Sequence, residues 1–497
     1  MALKEYKFFS IVLAGLWLKK CLTNKLYYVY ILAVSIEGEM SIRSYQDVSR
    51  FWFMTSVSSL GLACCLAVIL IVSRMPLLGA YFDTETFQSA LVLHVNFSLF
   101  IWLFSFAAAV WVFYFANNNM GLHRLILFSS IVAISGILAA SLLHDPRPVL
   151  SNYLPVLDNG LYLGSVLLFC TGFIALLVFL LLSRKNGHAG PQQVSFCHNC
   201  LGSLMKMMLI CLLLLPWVAS QISFEGLLFY EFLFWGVGHQ IQYLFTLFMI
   251  WGWIWLAKKS LVNQYDRSLA VSDRVLSWCF HIALLPLFLS LFLPFVYAPE
   301  SEQYRYSFTY LMYSSPLVLP VFIYAVYGGA NGIQAKLLAT PGIISLALGL
   351  LIVGLLLGTL IDGNNLMVPA HYHAVTGAIN LTFMAIAYEL MPKIGFTKPG
   401  SKWQIRQQQI YAGGVALLAL GLAWSGSLGG VRKMVEHNSD SLEQISALVI
   451  IALGGLISLL GCFLFLGLAF SNMRKKSAEF ALSSLSKTSF IKSNQDG

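Results

Sequence analysis

Pro369-Ala370-His371-Tyr372-His373-Ala374 opens an apolar run that ends at Tyr388-Glu389-Leu390-Met391-Pro392. Ionisable side chains inside a hydrophobic span are expensive, and two of them one residue apart ask for a functional reason. Each helical residue advances roughly 100°, so His371 and His373 point about 200° apart, to nearly opposite flanks of one helix. Such a helix offers one imidazole to each of two metal centres. The alternative is a pair of buried histidines satisfied by neighbouring helices or water.

The surrounding chain has 497 residues, of which 58% are hydrophobic and only 10% charged, with a mean hydropathy of +0.77. That composition belongs to an all-α polytopic membrane protein, not to a soluble domain. The formal net charge of +9 does not point to nucleic acid, because the basic residues lie in short loops between apolar runs. The 9 cysteines are scattered, mostly inside those runs, and form no disulfide framework. Cys197-His198-Asn199-Cys200 lacks the Cys-x-x-Cys-His order of covalent haem attachment.

Roughly twenty apolar residues cross a bilayer, and without alternating strands only helices can do so. The spacing predicts twelve transmembrane helices at 51–74, 87–115, 122–144, 161–183, 201–219, 226–257, 274–297, 306–329, 341–361, 366–391, 408–428 and 444–470. Residues 51–470 thus read as one transmembrane domain. Residues 1–50 read as a leader or cytoplasmic segment, with Met40 as an alternative start, and 471–497 as a polar cytoplasmic tail. Lys and Arg concentrate before the first run and after every even-numbered one, which predicts both termini in the cytoplasm. Arg432 and Lys433, between the eleventh and twelfth runs, are the basic exception.

With that orientation, the second, sixth and tenth spans all enter from outside. At ~1.5 Å per residue, His94, His371 and His373 fall at similar depth in the outer part of the membrane, with His239 somewhat deeper. Hydropathy does not require this convergence. His94 and His373 can serve as two axial ligands of one haem, the six-coordinate arrangement suited to electron transfer. His371 can hold a second haem from one side, leaving an open position for a small gaseous ligand. His239 then lies on the distal side, and Tyr243, four residues on, shares its helical face and can supply a phenolic proton or electron there. Arg432 and Lys433 stand where haem propionates need cationic partners.

These residues resemble subunit I of the haem-copper oxidase superfamily. Asn364-Asn365-Leu366-Met367-Val368-Pro369-Ala370-His371-Tyr372-His373, with Tyr388 through Gly395, is similar to that family's tenth span. Leu422 through Lys433 is similar to its propionate-binding loop. Trp235-Gly236-Val237-Gly238-His239 resembles the sixth span of the cbb-type branch, which is related to nitric-oxide reductases. The resemblance implies two haems, low-spin on His94 and His373 and high-spin on His371. It also implies a membrane-bound respiratory oxidoreductase in a bacterial inner membrane, passing electrons to oxygen or nitric oxide. A partner subunit would then carry cytochrome c or another electron donor. One departure matters. The family holds a copper with three histidines, two of them at the outer end of the seventh span. Here that end reads Phe292-Leu293-Pro294-Phe295-Val296-Tyr297-Ala298-Pro299, and no histidine occurs between His281 and His371. Copper is left with His239, and with Glu231 only if the helix distorts. A haem protein without turnover, acting as electron conduit or gas sensor, is the alternative function. A transporter would need paired broken helices, and no such pairing is evident.

Overall fold

The computed structural model describes residues 44–73, 83–116, 119–143, 147–183, 196–265, 269–314, 319–328, 342–432 and 441–474. The expected leader (to residue 43), Lys433 and the tail beyond Arg474 lie outside the described residues. The protein is an all-α polytopic membrane protein: eleven of its described helices are long and apolar enough to cross a bilayer. The first runs from Tyr45 to Val72, starting earlier than the hydropathy implies because Ser44 and Asp47 close a reciprocal capping box. The second covers Thr84–Phe115, capped by Asp83. The third to seventh follow at Met120–Ser141, Gly160–Ser183, Phe196–Ser220, Gly226–Ser260 and Asp273–Val296. The ninth to twelfth are Gly342–Thr359, Met367–Ile394, Ser401–Ser427 and Leu442–Met473.

The expected eighth span differs. It is described as two shorter helices, Glu302–Tyr313 and Leu319–Tyr327, with residues 315–318 between them outside the described set. The count of long apolar helices is therefore eleven among the described residues, against twelve expected.

The second, sixth and tenth spans form the middle of the bundle. Between 78% and 89% of their apolar windows is buried, against 39–50% for the other spans. Lipid offers no hydrophobic drive between helices, so close packing and interhelical hydrogen bonds hold them together. The eleventh and twelfth spans meet along small residues. A Cβ on Gly414 would lie 2.2 Å from the Ser458 nitrogen, and one on Gly454 2.3 Å from the Leu418 nitrogen. Polar ties cross the interior as well: Trp102 Nε1 donates to Asn380 Oδ1 at 2.9 Å and Trp253 Nε1 to Thr382 Oγ1 at 2.9 Å. At one end of the bundle Glu389 pairs with both Lys259 and Lys398. Arg432 lies at the opposite end.

Overfilling this contact should be costly. Gly454→Leu is expected to destabilise the detergent-solubilised protein by about 1–3 kcal/mol. Gly467→Leu, on the same helix with open space around it, should leave the melting temperature nearly unchanged. Equal melting temperatures for the two variants would contradict the packing described.

Candidate functional site

Four histidines of the central spans are held by the same kind of bond. His94 Nδ1 lies 2.9 Å from the Ala63 carbonyl on the first span, and His371 Nδ1 lies 2.7 Å from the Gly354 carbonyl on the ninth. His373 Nδ1 lies 2.7 Å from the Pro369 carbonyl and His239 Nδ1 2.6 Å from the Trp235 carbonyl, each one turn back on its own helix. A carbonyl oxygen only accepts, so Nδ1 carries the proton in all four rings. Nε2 is then the basic nitrogen, the tautomer of a metal-ligating imidazole whose far side is anchored to the protein.

His94 and His373 line one cavity between the first, second, tenth, eleventh and twelfth spans. Its volume is ≈ 240 Å³, against the ~10–15 Å³ that a single water requires. Protein interiors leave few voids larger than a water molecule, so a space of this size lined by two imidazoles is a candidate binding site. Its walls are chiefly aliphatic, with Asn380 and Tyr411 among several polar members, and Arg432 also lines it. Arg432 is delivered by the turn after the eleventh span. Gly429 takes φ +84, where only glycine is unstrained. Gly430 then accepts from the Leu366 nitrogen at 3.0 Å, Val431 bridges to Asn365, and Arg432 Nη1 donates to Asn364 Oδ1 at 3.2 Å. The loop is thereby tied to the entry of the helix that bears His371 and His373.

The donor set fits a haem: two anchored imidazoles, an apolar slot and a guanidinium. His371, on the other flank of the tenth span, packs on the ninth, where a Cβ on Gly358 would lie 2.8 Å from its Nδ1. His239 is buried.

The surroundings of His239 differ from those expected. The end of the seventh span does not close over it; Phe295 and Val296 are 59% and 66% exposed. Tyr243 is turned onto the seventh span, its hydroxyl donating to the Ala283 carbonyl at 2.8 Å. The groups that meet His239 are Trp235, Phe308 and Tyr153, with ring centroids at 5.0, 6.0 and 4.8 Å. This aromatic set does not fit copper, and among the described residues no three His, Cys, Asp or Glu side chains converge on one point. Glu231 accepts from Asn152 Nδ2 at 2.5 Å. Lys433 lies outside the described residues.

Tyr153 is the residue that sequence reasoning missed. It sits in the segment between the third and fourth spans, where Pro148–Val149 pairs with Val156–Leu157 in a two-stranded hairpin. Asn96 Nδ2 donates to the Pro155 carbonyl at 2.8 Å and to Val92 at 2.8 Å. Asn96, two residues after His94, opens a six-residue π-helical turn, a distortion frequent at functional sites. Burial, and then the Glu231 carboxylate, push the Tyr153 phenol above its ordinary value, with Arg432 opposing. The phenol is therefore a donor at neutral pH. Among the other histidines, His123 is not solvated as its position beside a loop implies: it is fully buried against Phe179. His281 bonds Ser203 and the Ser277 carbonyl.

No family model matches the chain. It is 25% identical over 501 residues to an uncharacterized protein of Rickettsia prowazekii (strain Madrid E), covering 84% of this chain and 94% of that one. It is 24% identical over 360 residues to an uncharacterized protein of Aquifex aeolicus (strain VF5), covering 71% and 87%. Both similarities extend over most of each relative's length, so they concern the helical bundle and not a local motif.

The loop anchor can be tested alone. Asn96→Ala should leave the Pro155 carbonyl without its donor, a loss of about 1–3 kcal/mol, and speed amide exchange across residues 149–157. Unchanged exchange there would show that Asn96 does not hold the hairpin.

Proposed function

We propose that the protein is a haem-binding membrane oxidoreductase that passes electrons to a small gaseous substrate, oxygen or nitric oxide. The observation that carries the reading is the shared cavity of His94 and His373, each ring anchored through Nδ1, with Arg432 on the same lining. His94 and His373 would hold one haem as a pair of axial ligands, and His371 would hold a second from one side. When bound, the first group supplies electron transfer and the second an open face for a gas. Arg432 offers a fixed cation for propionates. Trp235, Phe308 and Tyr153 exclude water around His239, and the Ala63 and Gly354 carbonyls hold His94 and His371 against rotation. An electron donor on a partner subunit and a bacterial inner membrane location, with both termini in the cytoplasm, complete the proposal; the basic residues about Glu389 suit a cytoplasmic face.

A second reading is gas binding or electron conduction without turnover. The surroundings of His239 favour it, because among the described residues no ligand set beside it offers a second metal a site.

Purified protein is expected to give a reduced-minus-oxidised spectrum of two haems per chain, one of them responding to carbon monoxide. His94→Ala or His373→Ala should remove the six-coordinate signal and leave the carbon monoxide response largely intact. Protein without haem would refute the proposal. Haem with no oxygen or nitric oxide consumption under any reductant would select the second reading.

A further inference from the structure

A lysine among lipid chains is costly and is found there paired or reaching for the interface. Lys206 stands on the fifth span, Phe196–Ser220, ten residues in from Phe196. A hydrocarbon core of about 30 Å takes up about twenty of those 25 residues, which sets the Lys206 Cα roughly 11 Å inside it at ~1.5 Å per residue. The four-carbon stem spans about 6 Å, so the ammonium ends below the headgroups. It is exposed on the side of the bundle, with neither hydrogen bond nor ion pair among the described residues. His281 faces outward at similar depth on the seventh span, eight residues in from Asp273. Its ring is already satisfied: Nδ1 donates to the Ser277 carbonyl at 2.7 Å, and Nε2 accepts from the Ser203 hydroxyl at 3.0 Å. Ser203 lies one turn from Lys206 on the same helical face. The two spans thus share a polar belt in which the ammonium is left without a counter-charge. Beyond it, Ile210, Leu213 and Trp217 continue the Lys206 stripe at helical spacing, and Ile282, Leu285 and Leu289 do the same on the seventh span, all of them exposed. Trp217 stacks on Phe295 at 5.4 Å and joins the two spans at the far end.

We infer that this face of the fifth and seventh spans seats a transmembrane helix of a second, different polypeptide, which brings a carboxylate against Lys206. Charge complementarity selects the occupant. Lipid phosphates lie outside the core, beyond the reach of the ammonium. A second copy of this chain offers no acid at the right depth: on the described spans Asp47, Glu85, Glu231, Asp273, Glu389 and Glu443 all lie within two turns of a helix end. An acidic helix laid along the stripe meets the ammonium in a low-dielectric setting, where an opposite charge counts for most. Its apolar side then covers Ile210, Leu213 and Trp217 by close packing. The inference goes beyond the haem reading and stands without it.

The test uses purified full-length protein in phosphatidylcholine vesicles. Synthetic Leu-Ala transmembrane peptides of about 22 residues carry Glu, Gln, Leu or Lys at the matching depth. Binding is read as energy transfer from the protein's tryptophans to a dansyl group on the peptide. The Glu peptide should bind about tenfold more tightly than the Leu peptide, the worth of one interhelical polar contact, and the Lys peptide most weakly. Lys206→Leu should erase that preference and leave binding of the Leu peptide unaltered, while Lys206→Arg keeps it. Lys206→Glu should invert it in favour of the Lys peptide. Because Lys206 is exposed, Lys206→Leu removes no internal contact, and an unchanged melting temperature verifies its fold. Equal binding of the Glu and Leu peptides, or a Glu preference that survives Lys206→Leu, overturns the inference. So does a preference that vanishes when phosphatidylglycerol is added, which would make the face a lipid headgroup site. A Lys206-dependent dimer of the protein alone, seen by sedimentation in detergent, would assign the face to a second copy and overturn it as well.

Discussion

The bond from a buried imidazole Nδ1–H to a backbone carbonyl is the interaction on which the candidate site depends. An imidazole in a membrane interior cannot leave its N–H unpaired without a cost of several kcal/mol, and the carbonyl it meets has a second lone pair to offer. Two versions occur. His94 and His371 reach across to Ala63 and Gly354 on other helices, so each ring is a strut between two spans. His373 and His239 fold back on Pro369 and Trp235, so each ring follows its own helix. A ligand shared by His94 and His373 would therefore be gripped by one ring set by interhelical packing and one set by local geometry. Tilting the first span against the second would move only the former.

Packing that tight requires helices without side chains at the crossings. Gly354 illustrates the link between fold and site: a Cβ there would lie 2.6 Å from Val375 Cγ2, and its own carbonyl receives His371. The same glycine brings the ninth span against the tenth and supplies the acceptor that orients the imidazole. Gly426 does the equivalent for the turn that carries Arg432, with a Cβ position 2.5 Å from the Met367 nitrogen. Site geometry here is a by-product of close helix approach. Changes at glycines remote from any ligand should thus be felt at the histidines.

Much of this was legible in the chain itself, for stated physical reasons. Apolar length determines a membrane helix, and eleven of the expected runs became long helices with ends within about two turns of their hydropathic limits. The 200° separation of His371 and His373 follows from helical pitch, and the structure sends the two rings to different neighbours. The pairing of His94 with His373 followed from matching depth. What was not legible depended on loops and on rotation about helix axes. Tyr243 shares a helical face with His239 on a wheel, yet the sixth span turns that phenol towards Ala283. Tyr153 lies in a segment whose composition announces only turns, and its approach to His239 needs the hairpin, Asn96 and Gly238 together. The eighth run is described only as two shorter helices, Glu302–Tyr313 and Leu319–Tyr327, so its continuity lies outside the described residues.

The enclosure of His239 decides between two chemistries for this end of the bundle. Copper asks for several imidazoles or comparable donors in a defined geometry, and the seventh span, which would have to bring them, directs Phe295 and Val296 away from the core instead. The vacated side of His239 is filled by Tyr153, Trp235 and Phe308, whose faces carry no strong lone pairs, and Trp235 is itself clamped by Arg305 at 4.7 Å. The Tyr153 hydroxyl lies 2.9 Å from Nδ1 and 2.8 Å from Nε2, so the phenol packs over the imidazole ring. Restoring a metal there would require both removing Tyr153 and supplying new ligands from the seventh span. The aromatic enclosure of His239 and the histidine-free outer end of the seventh span thus both leave that imidazole without a metal-ligand cluster among the described residues.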